Sequence, residues 1–256
     1  MAIGHCMLAA ACLLAAAPDS KMDAKLNDVL ENWQRRSKER TRLDVLVTRK
    51  DSESSLGDQN FTGRVVLLPK SQAYVEFSER DPAGESRLSE RWVWTKEAVH
   101  HFRADQKQHF IWPIAEQDRG RLPAMLALPF LWHVDANQLH SRYTIRLHSE
   151  EADSWILAFE PVKNTSACSF SKAYLKLSKE MLLPQRYLVV SPDGNSRKDF
   201  VLTEVQPEKP GMEKVLEIRD DKDWKVVKSG GSSPNDGLEG KLTGWFVRSL
   251  KPDLLP

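Results

Sequence analysis

Cysteine is scarce in this chain: there are three in 256 residues, Cys6, Cys12 and Cys168. Two of them lie in the N-terminal apolar stretch, so Cys168 would stand alone once that stretch is removed. A disulfide scaffold is therefore excluded. Excess charge of either sign is also lacking, with 37 Lys and Arg against 36 Asp and Glu. Nucleic acids and anionic membranes are held by clustered positive charge, so neither is an expected partner. The 12 glycines form neither a Gly-x-Gly-x-x-Gly nor a Walker string, which removes the usual phosphate cradles. There is no Gly-x-Ser-x-Gly elbow for a serine nucleophile and no His-Glu-x-x-His zinc string.

No apolar run reaches the roughly 20 residues that a membrane helix needs. The longest is at the N-terminus, ending in Ala15-Ala-Ala17 before Pro18-Asp-Ser-Lys turns polar. Its length and small terminal residues predict a secretory signal over 1–17 and hence an exported, periplasmic or cell-envelope protein. No Lys or Arg precedes the run. Cys12, after Ala9-Ala10-Ala11, resembles a lipoprotein attachment box in which Ala9 replaces the usual larger aliphatic.

What is present is a β-rich pattern with 41% apolar residues, enough for one substantial core. Met22, Leu26, Val29, Leu30 and Trp33 fall on one face of a predicted opening helix, Met22–Ser37. Between about Arg42 and Val205, short Val-, Ile-, Tyr-, Phe- and Trp-rich segments alternate with turn residues. Strands are predicted at Leu43–Val47, Phe61–Leu67, Ser71–Ser78, Glu90–Thr95, Ala98–Ala104 and Gln108–Ile114. A second set covers Tyr143–Ser149, Ser154–Pro161, Lys172–Leu177, Pro184–Val190 and Ser196–Val205. Short turns such as Ser191-Pro-Asp-Gly-Asn195 favour a sequential antiparallel meander. Pro123 and Pro129 limit the apolar segment Arg121–His133 to at most one short helix. Met212–Val227 is read as one more strand, Ser229–Gly237 as a linker and Leu238–Leu250 as a short helix.

The candidate chemistry is thin. His100 and His101 are adjacent on a strand, point to opposite faces and cannot chelate one ion. The carboxylate pairs Asp51 with Glu53, Glu150-Glu151 and Asp220-Asp221 read as hydrated loop groups, and Cys168 reads as a small packed residue. No cofactor, metal or catalytic residue is expected. The aromatic residues are different. Trp92 and Trp94 share a strand face, as do Trp155, Leu157 and Phe159, and Phe102, Phe110 and Trp112 lie on neighbouring strands. With Leu126, Phe130, Leu131 and Trp132 of the Pro-bounded segment, they are the candidate lining of an apolar cavity. The alternative for each is an ordinary core position.

Several segments carry a resemblance to a known family. They are Val29-Leu-Glu-Asn-Trp33, Phe61-Thr-Gly-Arg-Val-Val-Leu-Leu-Pro-Lys70 leading to Ala73-Tyr-Val75, Arg91-Trp-Val-Trp94, Leu122 to Leu131, Arg142-Tyr143 and Leu183-Pro184. Over roughly residues 23 to 207 the chain resembles the outer-membrane lipoprotein carrier (LolA-like) superfamily, in particular its planctomycete branch. The resemblance implies an α+β, mainly β fold. A curved antiparallel sheet would form an open half-barrel over 22–228, with the N-terminal helix and the Pro-bounded segment on its concave face. It further implies a monomeric, non-catalytic carrier or sensor that holds a lipid or the acyl chain of a lipoprotein. Residues 229–256 exceed a minimal carrier, and no residue matches the lid-locking arginine of the family. Two other readings stand beside this one. The first is an envelope scaffold with a filled core that binds a partner protein. The second is a hydrolase or metal enzyme, which would need dispersed titratable groups to converge in a cleft.

Overall fold

The structure is a computed structural model and describes residues 20–54, 57–69, 72–80, 84–114, 116, 134–162, 170–207, 210–218 and 223–228. It opens with helix α1 (Ser20–Glu39), two residues longer at each end than the periodicity predicts. Leu26, Val29, Leu30 and Trp33 are buried, whereas Met22 is exposed, so the stripe docks from its second turn onward. Each buried aliphatic contributes roughly 1.5–3 kcal/mol relative to exposure, and this docking holds a helix whose isolated form would be marginal.

Twelve strands follow. The first six are β1 (Leu43–Glu53), β2 (Gly57–Leu68), β3 (Gln72–Arg80), β4 (Ser86–Trp94), β5 (Ala98–Arg103) and β6 (Gln108–Pro113). After helix α2 (Ala136–Arg142) come β7 (Tyr143–Glu150), β8 (Ser154–Pro161), β9 (Lys172–Ser178), β10 (Pro184–Val190) and β11 (Ser196–Pro207). Asp135 caps α2 through a bond from the Gln138 amide. The sequence reading placed no helix there.

All twelve strands belong to one curved, open sheet in the order β12-β6-β5-β4-β3-β2-β1-β11-β10-β9-β8-β7. Each consecutive hairpin is antiparallel, as the short turns require. The two meanders are joined where β1 pairs antiparallel with β11, setting Arg49 opposite Phe200 and Asp51 opposite Lys198. The exception to the meander is β12 (Lys225–Lys228), which runs parallel to β6. The predicted single strand over Met212–Val227 is replaced by a 3-10 turn, Met212–Leu216, and this short strand.

The main core lies between α1 and the inner face of the sheet. Outside, Met212 of the 3-10 turn closes a small cluster over Val66 and Leu68. Polar contacts locate α1. The Gln34 side-chain oxygen accepts from the Ala136 amide at 2.7 Å, and the Ser37 hydroxyl accepts from the Val134 amide at 3.0 Å. Arg40 donates to the carbonyls of Met181 and Leu182. The segment 121–133, residues 1–19 with the predicted signal, and residues 229–256 lie outside the described residues.

Candidate functional site

On β4, residues 90, 92 and 94 point inward together, because side chains two apart share a face. Pairing sets His101 opposite both Trp92 and Phe110, and Val99 opposite both Trp94 and Trp112. The result is a layer of nearly parallel rings on the inner face. Trp92 stacks on His101 at 3.7 Å between centroids and on Trp94 at 5.6 Å. Trp112 stacks on Trp92 at 5.9 Å and on Phe110 at 5.6 Å. Trp92, Trp94 and His101 are buried, while Phe110 and Trp112 are half-buried at the rim. Burial drives the His101 pKa down to about 3, with the Glu90 charge opposing and Arg103 and His109 adding to the fall. His101 is thus a neutral ring in the layer.

The layer ends in a buried ion cluster. Trp92 donates through its indole N–H to Glu90 at 3.3 Å. The other Glu90 oxygen accepts from Arg49 Nη1 at 2.8 Å. Arg49 Nε lies 3.0 Å from Asp51 Oδ1, within ion-pair range but misaligned for a hydrogen bond. Lys198 Nζ stands 3.8 Å from the other oxygen of Asp51. The Arg49 and Asp51 side chains are each 7% exposed and that of Glu90 is 13% exposed. The guanidinium is also placed against two rings, 4.1 Å from the Phe61 centroid and 4.5 Å from that of Phe77. Gly63 makes this possible, since a Cβ there would lie 2.6 Å from the Phe77 ring and 2.4 Å from the Glu76 carbonyl oxygen.

Burial alone would raise the Glu90 pKa, but the charge and hydrogen bond of Arg49 outweigh it and hold the carboxyl below its usual range. Burial lowers the Lys198 pKa, helped by the Arg49 charge and opposed by Asp51 and Glu90. Burial pushes the phenol of Tyr187, stacked on Phe200 at 4.4 Å, well above its ordinary value. Beyond Asp51 lies a shallow, solvent-open depression lined by Glu53, Gln59, Ser196 and Lys198 among others.

This cluster corrects the sequence reading of Asp51 and Glu53 as hydrated loop groups. Both lie on β1, which runs six residues beyond its predicted end, and Asp51 is buried. The one available signal was alternation: Val45, Val47, Arg49 and Asp51 continue a single face.

The other sequence-predicted positions fall in three places. Leu157 and Phe159 are fully buried on the inner face of β8, with Trp155 partly buried at its end, in the half of the sheet that α1 covers. Phe102 lies on the opposite, outer face, stacked 4.1 Å from His109 and edge-on to Trp224 at 5.8 Å. There His100 Nδ1 and His109 Nε2 share a hydrogen bond at 3.0 Å, while His101 points inward, as adjacent strand residues must. Leu126, Phe130, Leu131 and Trp132 lie outside the described residues. Among the described residues no three metal-ligating side chains gather, and no helix is long and apolar enough to cross a membrane.

No protein-family model matches the sequence, and no curated protein matches it. Solved structures are similar at low identity. An uncharacterised conserved protein of Thermus thermophilus is 16% identical, with 80% of this chain and 99% of that one covered at a TM-score of 0.49. A LolA superfamily protein of Nitrosomonas europaea is 10% identical, with 75% and 97% covered at 0.38. The MucA/MucB complex of Pseudomonas aeruginosa contains a chain 18% identical, with 79% of this chain and 64% of that one covered at 0.43. This chain is thus similar to structures that include LolA superfamily proteins, and any functional reading rests on its own residues.

Proposed function

We propose that the inner face binds the apolar chain of a lipid or an acylated protein, making this a non-catalytic carrier or sensor of the cell envelope. One observation supports it above the others: the stacked layer of Trp92, Trp94, Phe110, Trp112 and His101, with Phe110 and Trp112 still half-buried at its rim. Flat aromatic surface with few polar groups suits aliphatic chains, which gain dispersion contacts and leave water. Under this reading residues 22–228 form the binding unit, residues 1–17 direct export, and Leu126, Phe130, Leu131 and Trp132 add to the lining. The mature chain acts as a monomer. A catalytic use of the ion cluster is disfavoured by its protonation states. Glu90 is held ionised and His101 neutral, so neither is poised to exchange a proton near neutral pH.

The test is native mass spectrometry of the mature protein purified gently from bacterial membranes. A stoichiometric apolar adduct, displaced by a fluorescent acyl probe, supports the reading. A clean mass with no saturable probe binding overturns it. That outcome would favour the second reading, a scaffold for an envelope partner protein. The packed half of the sheet speaks for that alternative: Trp33, Leu157, Phe159, Leu175 and Leu177 are all fully buried in one core cluster.

A further inference from the structure

Within the aromatic layer one polar group stands apart. The Trp94 indole N–H is buried and donates to no acceptor among the described residues, although Trp94 is only 3% exposed. Its neighbour Trp92 has the Glu90 carboxylate for the same purpose. The residues opposite Trp94 are Ala73 and Val99, neither of which offers a side-chain acceptor. A buried donor left without an acceptor forfeits its hydration with nothing in return, so such groups are rare unless something else meets them.

We propose, building on the reading above, that Trp94 selects ligands bearing a carbonyl beside the aliphatic chain, as an acyl ester or amide does. A carbonyl oxygen accepts from the indole N–H and brings no charge, while the attached chain lies along Trp92 and Trp112. A plain hydrocarbon leaves the donor unmet. A free carboxylate also accepts, but its charge must itself be desolvated in the apolar layer. Trp155 has a buried indole N–H in the same condition, but it lies on the α1-covered half with Lys179 5.7 Å over its ring. Its resonance therefore serves as the internal control.

The experiment uses the whole mature chain, uniformly labelled with nitrogen-15, and four probes: methyl decanoate, N-methyl decanamide, decanoate and dodecane. Displacement of a fluorescent acyl probe gives affinities, and the Trp94 indole N–H resonance, assigned from its neighbours Trp92 and Trp112, reports the bond. The expected result is that ester and amide bind more tightly than hydrocarbon and carboxylate and shift the Trp94 resonance downfield, with Trp155 unmoved. Trp94→Phe weakens ester and amide roughly fivefold more than it weakens dodecane, the scale of one hydrogen bond. Equal affinity for ester and dodecane, a uniform loss in the variant, or a downfield shift at Trp155 alone would overturn the inference. Binding of no probe at all would instead sink the apolar-site reading beneath it. Should Trp94→Phe fail to fold, the resonance shifts of the unaltered protein decide the matter.

Discussion

Trp92 donates its indole N–H to Glu90 at 3.3 Å, which ties the aromatic layer of the inner face to the buried ion cluster at its end. The same carboxylate accepts from Arg49 at 2.8 Å, and that guanidinium faces the rings of Phe61 and Phe77. Packing on one side of Glu90 and charge on the other are therefore coupled.

Removing Arg49 leaves the buried Glu90 without its ion-pair partner and Asp51 with the longer Lys198 contact. Arg49→Met is expected to lower stability by about 3–5 kcal/mol in urea unfolding, the scale seen when one partner of a buried pair is lost. By contrast, Lys50→Ala, on the same strand as Arg49, removes an exposed ion pair to Asp58 of β2 and should leave the midpoint unchanged. Equal losses in the two variants would contradict the burial of the cluster.

Gly63 is required for closeness rather than for turn geometry. Gly63→Ala places a Cβ against the Phe77 ring and the Glu76 carbonyl, and should cost about 1–3 kcal/mol by overpacking. Adding Phe77→Leu should recover part of the loss, because the ring is one of the two obstacles. A neutral Gly63→Ala variant would mean that β2 and β3 do not approach as described.

The pH dependence follows from His101, whose pKa falls to about 3 in the folded chain through burial. In the unfolded chain it titrates near 6.5 (about the model-peptide value). Between these values the unfolded state binds the extra proton, so stability is full above about pH 6.5 and declines as pH falls toward 3. His100, also lowered by burial, adds to the same slope, and Glu90 adds to it only below the usual carboxylate range. Unfolding free energy measured between pH 6.5 and 5 should fall less steeply in His101→Phe than in the parent. An unchanged slope would place that proton elsewhere.

Alternation and turn chemistry made much of this fold legible. The Trp155, Leu157, Phe159 face and the Ser191–Asn195 turn predict β8 and β10 at their observed bounds. Where charge interrupts the pattern, the reading stops early. The predicted β1 ends at Val47 because Asp51 and Glu53 read as hydrated loop groups, yet Arg49 and Asp51 are neutralised by partners 41 and 147 residues further on. Such pairing becomes visible only once β11 is placed beside β1. The parallel seat of β12 on β6 was hidden for a related reason. Four residues, Lys-Val-Val-Lys, carry little signal, and the contact of Trp224 with Phe102 joins residues on opposite sides of the second meander.

That contact is itself testable. Trp224→Ala should speed hydrogen exchange of the β6 amides and lower stability by about 1 kcal/mol, the scale of one aromatic pair. Exchange unchanged in β6 would show that β12 holds its place without this ring.

The central claim is that an aliphatic chain lies against the tryptophans of the inner face. It is tested most directly by titrating the mature protein with an acyl chain dibrominated at mid-length and following tryptophan fluorescence, because bromine quenches on contact. Saturable quenching that shrinks in Trp112→Leu, a variant with unchanged circular dichroism, is the predicted result. Fluorescence that does not respond, or that declines linearly without saturation in both proteins, would contradict it.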